Sequence, residues 1–450
     1  MKADLKEAFE REMSSARKHF VDGKLDHAFH ALERAHILGQ RYFLKHIITH
    51  WWMLKIALKR AHAKEMVGQI LRLMAVVPGY LFGWVPKGNT GGADVSAVKP
   101  MPIPEEFSEL LSDYDVWRDV RRRLLVYFFV LLLPIGWLIW TDTQRAKDAH
   151  ELEQTWKTQH IEPLPGFGST KALSVIPLVN WHAAQGNLKT EAGVSYLIQT
   201  DTETILFDLG YNQRSESPSP LEHNMKALDI DLRDVDVIFL SHTHRDHVGG
   251  KSWADAQSFS TGTTQPDLTG MSVFAPAPRS YPGLDVQTIQ RPTIIGNGVA
   301  STGPIPRRLF MGRIDEQALV VNLEGKGLVV VVGCGHQTLS KLLERVESAF
   351  DDPIYAIIGD LHYPVPEGRI RIAGFDAQQR LASGNGFFSP INQTDVLKDI
   401  DVLVSKLGFL GLGGHDTNDK VFSILEDRMG ARFTQLRVGE AVKLGDQSVE

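Results

Sequence analysis

The chain has 450 residues, of which 43% are hydrophobic, so it is long and apolar enough for two or three domains with substantial cores. Its formal net charge of −6 argues against nucleic acid as the primary partner. The single cysteine, Cys334, excludes an internal disulfide and leaves the redox compartment of the protein open.

Residues 1–84 are predicted to form an all-α domain. Apolar residues recur at spacings of three, four and seven on both sides of Gly23, which is the pattern of two amphipathic helices. The residues that carry this pattern are Leu5, Phe9, Ala16, Phe20, Leu25, Phe29, Leu32 and His36. A third helix is predicted over residues 41–60, and a fourth over residues 63–76 with its end at Pro78-Gly79. Residues 85–120 are predicted to be a Gly/Pro-containing arm and linker.

Three histidines of this domain form a candidate metal site. His46 and His50 lie one helical turn apart, and His36 on the preceding helix could join them. The alternative, which the sequence favours, is that these imidazoles pack and hydrogen-bond inside the helical bundle.

Three segments of the N-terminal part resemble a small bacterial helical domain family of unknown function. They are Leu-Glu-Arg-Ala-His-Ile-Leu-Gly-Gln at 32–40, His-Trp-Trp at 50–52 and Gly-Asn-Thr-Gly-Gly at 88–92. The resemblance covers about residues 9–104 and implies a domain boundary but no reaction. Because the chemical groups of this part are scattered histidines and aromatics, we expect the domain to bind a protein partner or a lipid surface.

Residues 121–141 are predicted to form one transmembrane helix. The seventeen residues 124–140 contain no charge and directly follow Arg121-Arg122-Arg123. At 1.5 Å per residue this stretch is about 26 Å long, close to a ~30 Å hydrocarbon layer, and Pro134 would kink the helix without breaking it. The alternative is a buried helix of a soluble domain, but such helices are usually amphipathic, whereas this stretch is apolar on every side.

The charges that flank this helix predict its orientation. Arg118 and Arg121-Arg122-Arg123 precede it, whereas Arg145 and Lys147 follow it more sparsely. By the positive-inside rule, the N-terminal domain is cytoplasmic and the part after the span is periplasmic, in a single-pass protein of a bacterial inner membrane. Residues 142–170 are predicted to be a linker.

Residues 241–250 constrain the chemistry of the chain most tightly. They read Ser-His-Thr-His-Arg-Asp-His-Val-Gly-Gly and follow the apolar run 237–240, so a buried strand delivers three imidazoles and a carboxylate to one loop. Zinc favours such ligands. His242 and His244 can share one ion, while Asp246 and His247 face a second. The alternative is a histidine-rich surface loop without metal.

The H-x-H-x-D-H pattern resembles that of the metallo-β-lactamase superfamily, and further motifs of that superfamily follow in order over about residues 171–445. These motifs are Ile-Leu-Phe-Asp-Leu-Gly at 205–210, Gly-Cys-Gly-His at 333–336, Ile-Ile-Gly-Asp-Leu-His at 357–362 and Gly-Gly-His-Asp at 413–416. The resemblance implies an α/β fold, a four-layer αβ/βα sandwich over residues 171–450. Strands at 194–198, 204–207 and 237–240 and helices starting at Ser219-Pro220 and running through 339–346 agree with alternating elements.

The resemblance also implies which residues bind two divalent ions, most favourably Zn²⁺. His336 completes the first site with His242 and His244, and the second site takes Asp246, His247, Asp360 and His415. Asp208 orients the loop from behind the ligands without binding metal. Cys334 could be a ligand or a reactive thiol, but a small side chain closing a packed strand is the favoured interpretation.

Three further segments are Glu-Ala-Gly-Val-Ser at 191–195, Cys-Gly-His at 334–336 and Gly-Asp-Leu-His-Tyr-Pro at 359–364. Within the superfamily, they most resemble the branch of dihydropterin-ribofuranosyl-aminobenzene-phosphate synthase-like hydrolases. That branch usually carries Gly-Gly where this chain has Gly359-Asp360, with a histidine two residues on. Positions i and i+2 of a strand share a face, so either Asp360 or His362 could ligate. We favour Asp360 as the ligand and His362 as a catalytic acid or substrate contact.

These observations predict an enzyme, a membrane-anchored dinuclear zinc-dependent hydrolase. A hydroxide that bridges the metals would attack a small-molecule ester, lactone, amide or phosphodiester, with Asp246 orienting the water. An iron-loaded redox member of the superfamily is the alternative enzyme, but such members place a carboxylate where this chain has His244. A membrane-anchored binding or scaffold protein with a structural or vestigial metal site is the alternative outside the enzymes.

Overall fold

The computed structural model describes residues 1–446 and consists of two compact units, Met1–Leu138 and Ile139–Glu450. Residues 447–450, the end of the predicted domain 171–450, lie outside the described residues.

The first unit is helical, as the apolar spacings predict. Its helices are α1 (Ala3–Val21), α2 (Leu25–Gly39), α3 (Phe43–Lys59), α4 (Ala63–Phe82), α5 (Glu105–Ser108) and the first part of α6 (Val116–Thr158). Leu5 and Phe9 of α1 and Leu32 of α2 are buried together, and Phe107 and Tyr114 from the end of the arm close the same core. Gly23 separates α1 from α2 with a φ of 75°, a conformation that glycine adopts without strain.

The end of α4 differs from the prediction. Pro78 lies inside the helix, which runs on to Phe82 and ends at Gly83 in the left-handed conformation. Proline removes one backbone hydrogen bond and can kink a helix without ending it. Gly83 adopts the left-handed conformation with positive φ that commonly ends a helix. The predicted helix end at Pro78-Gly79 was therefore wrong, and the helix ends at Gly83 instead.

Helices α4 and α6 are both long and apolar enough to cross a membrane. The apolar window of α6 has no buried residue, whereas about a quarter of the α4 window, 28%, is buried inside the structure. Helix α6 also continues through residues 142–158, which were predicted to be part of a linker. Within the second unit this helical extension is held by ion pairs from Arg145 to Asp142 and from Asp148 to Arg308.

The second unit contains two seven-stranded sheets. In chain order its strands are β1 (Ala172–Val179), β2 (Ser195–Gln199), β3 (Thr204–Phe207), β4 (Val237–Phe239), β5 (Ser272–Ala275), β6 (Val286–Thr288), β7 (Thr293–Gly296), β8 (Val299–Ser301), β9 (Ile305–Leu309), β10 (Gly312–Glu316), β11 (Leu319–Leu323), β12 (Gly327–Val332), β13 (Ile354–Gly359), β14 (Arg371–Ile372), β15 (Phe375–Asp376), β16 (Phe409–Leu412), β17 (Phe433–Gln435) and β18 (Val442–Gly445). Its helices are α7 (Pro220–Ala227), α8 (Lys251–Asp255), α9 (Leu339–Ala349), α10 (Gln393–Lys406) and α11 (Asp419–Met429).

The two sheets have the strand orders β18-β1-β2-β3-β4-β5-β6 and β17-β16-β13-β12-β11-β8-β7. In the first sheet β3, β4, β5 and β6 run parallel to one another, and in the second sheet β12, β13, β16 and β17 do. Strands β9 and β10 pair as a separate hairpin, and so do β14 and β15.

Alternating residues of the central strands pack on opposite faces of each sheet. On β12, Val329 and Val331 contact the other sheet, while Val330 and Val332 contact the layer of α9, α10 and α11. On β4, Phe239 faces the other sheet and Ile238 faces α7. Both faces of each sheet are thus covered, which explains why these strands read as unbroken apolar runs. The layers are helix, sheet, sheet and helix, the αβ/βα sandwich expected from the resemblance.

The start of α7 follows its sequence signal. Ser219 caps the helix by accepting the backbone N–H of Glu222, and the Glu222 carboxylate accepts the backbone N–H of Ser219 in return. Pro220 occupies the first turn, where no hydrogen-bond donor is needed.

Candidate metal centre

All the predicted site residues follow the carboxyl ends of parallel strands. Asp208 comes directly after β3, and His242 and its loop come after β4 in the same sheet. In the other sheet His336 follows β12, Asp360 follows β13 and His415 follows β16, and these three strands are parallel neighbours. The carboxyl ends of parallel strands lie at one edge of a sheet. The five segments that carry the site residues therefore come from one edge of each of the two sheets.

The first predicted ligand set forms one cluster. Ring nitrogens of His242, His244 and His336 lie within 4.8 Å of one another. The three imidazole rings have centroid separations of 4.7 Å, 5.4 Å and 5.2 Å and meet edge to face. His242 Nε2 and His336 Nδ1 are buried and have no hydrogen-bond partner among the described residues. Two buried, unpartnered nitrogens beside a third imidazole suit a borderline divalent cation.

A second cluster contains three of the four ligands predicted for the second ion. Donor atoms of Asp246, His247 and His415 lie within 4.8 Å of one another. His415 Nε2 lies 3.3 Å from the Asp246 carboxylate, and the two histidines are almost completely buried. The side chain of Asp246 is 23% exposed, so this carboxylate lies on the side of the cluster that solvent can reach.

Asp208 holds the loop in place from behind the imidazoles. Its carboxylate accepts the backbone N–H and the hydroxyl of Ser241 at 2.7 and 2.6 Å, and it lies 2.6 Å from His247 Nδ1. Because a carboxylate in this position acts as acceptor, the proton of a neutral His247 sits on Nδ1 and leaves Nε2 with a free lone pair.

Asp360 and His362 occupy different surroundings. The Asp360 carboxylate is fully buried and accepts the Asn180 amide at 3.5 Å and the backbone N–H of Asp416 at 3.4 Å. The His362 ring lies 4.7 Å from the ring of His336, and its Nδ1 lies 3.2 Å from the Asp416 carboxylate. Both ring nitrogens of His362 are buried without a hydrogen bond among the described residues. Both side chains therefore face the centre.

Three residues at the centre were not predicted to act there, and one of them, Cys334, was considered as a ligand or reactive thiol but interpreted as a packed small side chain. Cys334 Sγ lies 2.9 Å from His247 Nε2 and within 4.8 Å of donor atoms of His242. Asp416 shares a second such cluster with Cys334 and His415. Asp416 follows a predicted ligand directly, so its position beside the site could have been noticed in the Gly-Gly-His-Asp motif.

Glu316, the last residue of β10, is the third missed residue. It is fully buried, and its carboxylate accepts the backbone N–H groups of Cys334, Gly335 and His336 at 2.8 to 3.0 Å. These bonds fix the loop that presents His336. Nothing in the local sequence signals the role, because its partners are backbone groups 18 to 20 residues away.

Burial and charge set the protonation of the centre. Burial and neighbouring imidazoles hold the pKa of His242 and of His336 well below the usual range, so both rings are neutral and able to bind metal. Burial alone would lower the pKa of His415, but Asp416 and Asp246 raise it to about 10. A divalent ion would take the place of that proton between the same groups. Burial raises the pKa of Asp360 and of Glu316 to about 7.

Comparison with known proteins yields two family matches. Residues 188–386 match the metallo-beta-lactamase superfamily, and residues 3–111 match a protein family of unknown function, DUF3703. The 7,8-dihydropterin-6-methyl-4-(beta-D-ribofuranosyl)-aminobenzene-5'-phosphate synthase of Methanocaldococcus jannaschii is 25% identical over 223 residues, which is 38% of this chain and 71% of that protein.

Similar solved structures cover the C-terminal half. Tm1679, a metal-dependent hydrolase of the beta-lactamase superfamily, is 19% identical with a TM-score of 0.40, over 61% of this chain and 100% of that one. Zn²⁺-bound PqqB from Methylobacterium extorquens is 12% identical with a TM-score of 0.35, over 60% of this chain and 100% of that one.

Proposed function

The C-terminal half of the chain carries a metallo-β-lactamase domain, and we propose that this domain is a hydrolase that binds two divalent ions, most favourably zinc. The observation that supports this proposal most is the pair of neighbouring donor clusters, one of His242, His244 and His336 and one of Asp246, His247 and His415. A histidine-rich surface loop would be solvated, whereas His242, His336 and His415 are buried and have unpartnered ring nitrogens. The mixture of imidazole and carboxylate favours zinc over magnesium or calcium.

Two ions held in these clusters would activate water as a nucleophile near neutral pH and polarise the carbonyl or phosphoryl oxygen under attack. The chain supplies the arrangement around them. Asp208 keeps His247 in one tautomer, Glu316 fixes the loop of His336, and the partly exposed Asp246 can orient the attacking water. His362, beside His336 and Asp416, is placed to donate a proton to the leaving group.

We propose that Asp360, which is buried beside Asn180, is the carboxylate that joins the two clusters. Asp416 is a second candidate that the geometry introduces, since its carboxylate lies 3.7 Å from His415 Nε2. The Asp360 and His362 variants described in the Discussion distinguish the ligand from the proton donor.

The substrate class that fits such a site is a small ester, lactone, amide or phosphodiester. The similar synthase of Methanocaldococcus jannaschii is named for a phosphate-bearing product, but the shared segment is only 38% of this chain. A screen of generic esters, lactones, β-lactams and bis(p-nitrophenyl) phosphate with zinc-reconstituted, detergent-solubilised full-length protein is the direct test. The matched control is the double variant His242→Ala/His415→Ala, which removes one ligand from each cluster.

The same preparation tests the metal stoichiometry. We expect the wild type to hold close to two ions per chain more than the double variant, by elemental analysis after reconstitution and desalting. A folded wild-type sample that holds less than one ion more than the double variant and hydrolyses none of the substrates would favour the alternative, a membrane-anchored scaffold with a vestigial site.

We further propose that α6 anchors the protein in a bacterial inner membrane through residues 124–140, with α4 remaining part of the helical bundle. The apolar window of α6 is entirely exposed, which would be costly in water and is favourable in lipid. In contrast, α4 carries the buried polar residues Glu65 and Gln69, which bond to the arm. The arginines before the span favour an orientation with the N-terminal domain in the cytoplasm and the hydrolase in the periplasm.

The N-terminal unit also presents an apolar face that fits a lipid surface. Leu44, Trp51 and Leu58 recur every seven residues on α3 and are exposed, and Leu71 and Met74 of the neighbouring α4 are exposed as well. Arg123, at the start of the proposed span, donates to the Tyr80 carbonyl of α4 at 2.7 Å. This bond joins α4, which carries part of the face, to the start of the proposed span, and we expect the face to lie on the bilayer.

A further inference from the structure

Three imidazoles of the N-terminal unit converge in its interior, outside the metal centre described above. His36 comes from α2, and His46 and His50 come from successive turns of α3. The rings are 2%, 6% and 2% exposed, and every pair of ring centroids is 4.7 Å apart. His50 Nε2 lies 3.2 Å from His36 Nε2 and 2.9 Å from His46 Nε2, so three ring nitrogens meet at one point.

The other nitrogen of two rings is already bonded, which fixes the tautomer. His36 Nδ1 lies 2.8 Å from the carbonyl oxygen of Asn89, which can only accept, so Nδ1 carries the proton. His50 Nδ1 lies 2.7 Å from Gln69 Oε1, and the Gln69 amide nitrogen donates to the Glu65 carboxylate and the Gly91 carbonyl. The Gln69 oxygen therefore faces His50 and accepts its Nδ1 proton.

In neutral rings, these assignments leave lone pairs on both His36 Nε2 and His50 Nε2, facing each other at 3.2 Å. A proton on His46 Nε2 could be donated to the lone pair of His50 Nε2. The lone pair of His36 Nε2 would then still lack a donor, and the buried His46 Nδ1 would have no hydrogen-bond partner among the described residues. A single proton among the three Nε2 atoms can lie between only two of them and leaves the third without a donor. A metal cation between the three nitrogens satisfies them together.

We propose that His36, His46 and His50 form a binding site for one divalent cation of the zinc class in the N-terminal helical domain. Three imidazoles without a carboxylate among them are ligands for zinc, copper, nickel or cobalt, and poor ligands for magnesium or calcium. Asn89 and Gln69 act as the outer partners that orient ligating histidines in metalloproteins. Glu65, buried behind Gln69, places a carboxylate near the added positive charge.

The Gly-Asn-Thr-Gly-Gly segment at 88–92 closes over this site. Gly91 has a φ of +83°, and a Cβ atom there would lie 2.8 Å from the His36 ring. Only glycine lets the backbone approach the ring so closely while its carbonyl accepts from Gln69. A cavity of about 80 Å³, bordered by Val76, Trp84 and the Arg72 side chain, reaches the three histidines. It gives the cation an open fourth position for water or a small ligand.

The test uses the full-length chain in detergent and a background in which the C-terminal centre is disabled by His242→Ala and His415→Ala. We expect that background to bind one tight Zn²⁺ ion in competition with a chromophoric chelator, and to show the intense visible absorption of low-coordinate Co²⁺ when loaded with cobalt. Adding His46→Ala or His50→Ala should abolish both signals. His30→Ala, an exposed histidine of α2, is the matched control and should change neither.

Each outcome decides the proposal. Failure of the background protein with the intact triad to bind Zn²⁺ and to give the Co²⁺ spectrum would overturn it, whether or not the triad variants fold. Unchanged binding in a folded His46→Ala or His50→Ala variant, judged by circular dichroism, would overturn it too. Because the C-terminal centre is disabled throughout, these results do not depend on its proposed function.

Discussion

Replacing Asp208 by asparagine should weaken the second metal cluster more than the first. The carboxylate accepts three donors, namely the backbone N–H and hydroxyl of Ser241 and the Nδ1–H of His247. Asparagine has the same shape but only one accepting oxygen. If that oxygen stays at the Ser241 N–H, the amide NH₂ faces His247 Nδ1 and forces the proton of the imidazole to Nε2. If the amide is reversed, the NH₂ faces the Ser241 N–H instead.

Either orientation leaves a buried donor without an acceptor, which costs about 1–3 kcal/mol. When the amide faces His247, the nitrogen that should bind metal carries a proton. Loss of an outer partner of a ligating histidine typically lowers metal affinity roughly 10- to 100-fold, equivalent to about 1.4–2.8 kcal/mol. We therefore expect this loss for the ion held by His247, with a smaller effect on the ion held by His242, His244 and His336.

The assay is a Zn²⁺ titration of the full-length Asp208→Asn variant in detergent against a competing chelator, with thermal unfolding measured on the same samples. Asp201→Asn is the matched control, because the Asp201 carboxylate also accepts several donors, including the backbone N–H groups of Lys171 and Ala172, but lies at an exposed turn. It should leave both affinities unchanged. A folded Asp208→Asn protein whose two affinities both equal those of the wild type would refute the reasoning.

Three further predictions follow from named contacts. Asp360→Ala should lose metal from the second cluster, whereas His362→Ala should keep both ions and lose about a hundredfold or more in turnover. If only His362→Ala lost metal, that histidine would be the ligand instead. Gly91→Ala should lower the thermal stability and Zn²⁺ affinity of the N-terminal unit, since its Cβ would meet the His36 ring. Gly23→Ala is the control, because Gly23 has a similar positive φ but no atom within 4 Å of the added Cβ; it should lower the free energy of unfolding by only about 1–2 kcal/mol and leave the Zn²⁺ affinity unchanged. Protease added to spheroplasts should digest the hydrolase domain and spare the helical bundle, and carbonate should not release the protein; the reverse digestion pattern would invert the proposed orientation.

The parts of the site that lie on one segment could be predicted from the sequence. Four candidate ligands after β4 stand within six positions, and a single loop must carry them together whatever the rest of the chain does. The sheet order could not be predicted in this way, because apolar runs such as 237–240 and 329–332 reveal buried strands without revealing their neighbours. The four-layer arrangement was therefore taken from the resemblance.

Long-range polar contacts left no sequence signal. Glu316 reaches backbone groups of the Cys334–His336 loop, and any residue type can supply those groups. The helical course of residues 142–158 was missed for a related reason. These residues were predicted to be part of a linker, but Asp142, Arg145 and Asp148 form ion pairs within the second unit, where the helix continues.

The two candidate metal sites share a physical rule for choosing which nitrogen binds. In the C-terminal unit His247 turns its Nδ1 to Asp208, and in the N-terminal unit His36 and His50 turn theirs to Asn89 and Gln69. In each case the outer acceptor holds the proton on Nδ1, so a lone pair on Nε2 points into a buried cluster. Such convergence of lone pairs is unfavourable in a packed interior, and a histidine that only filled space would turn one nitrogen toward a donor. This arrangement supports the cation that we propose for each cluster, one among carboxylates and imidazoles and the other among imidazoles alone.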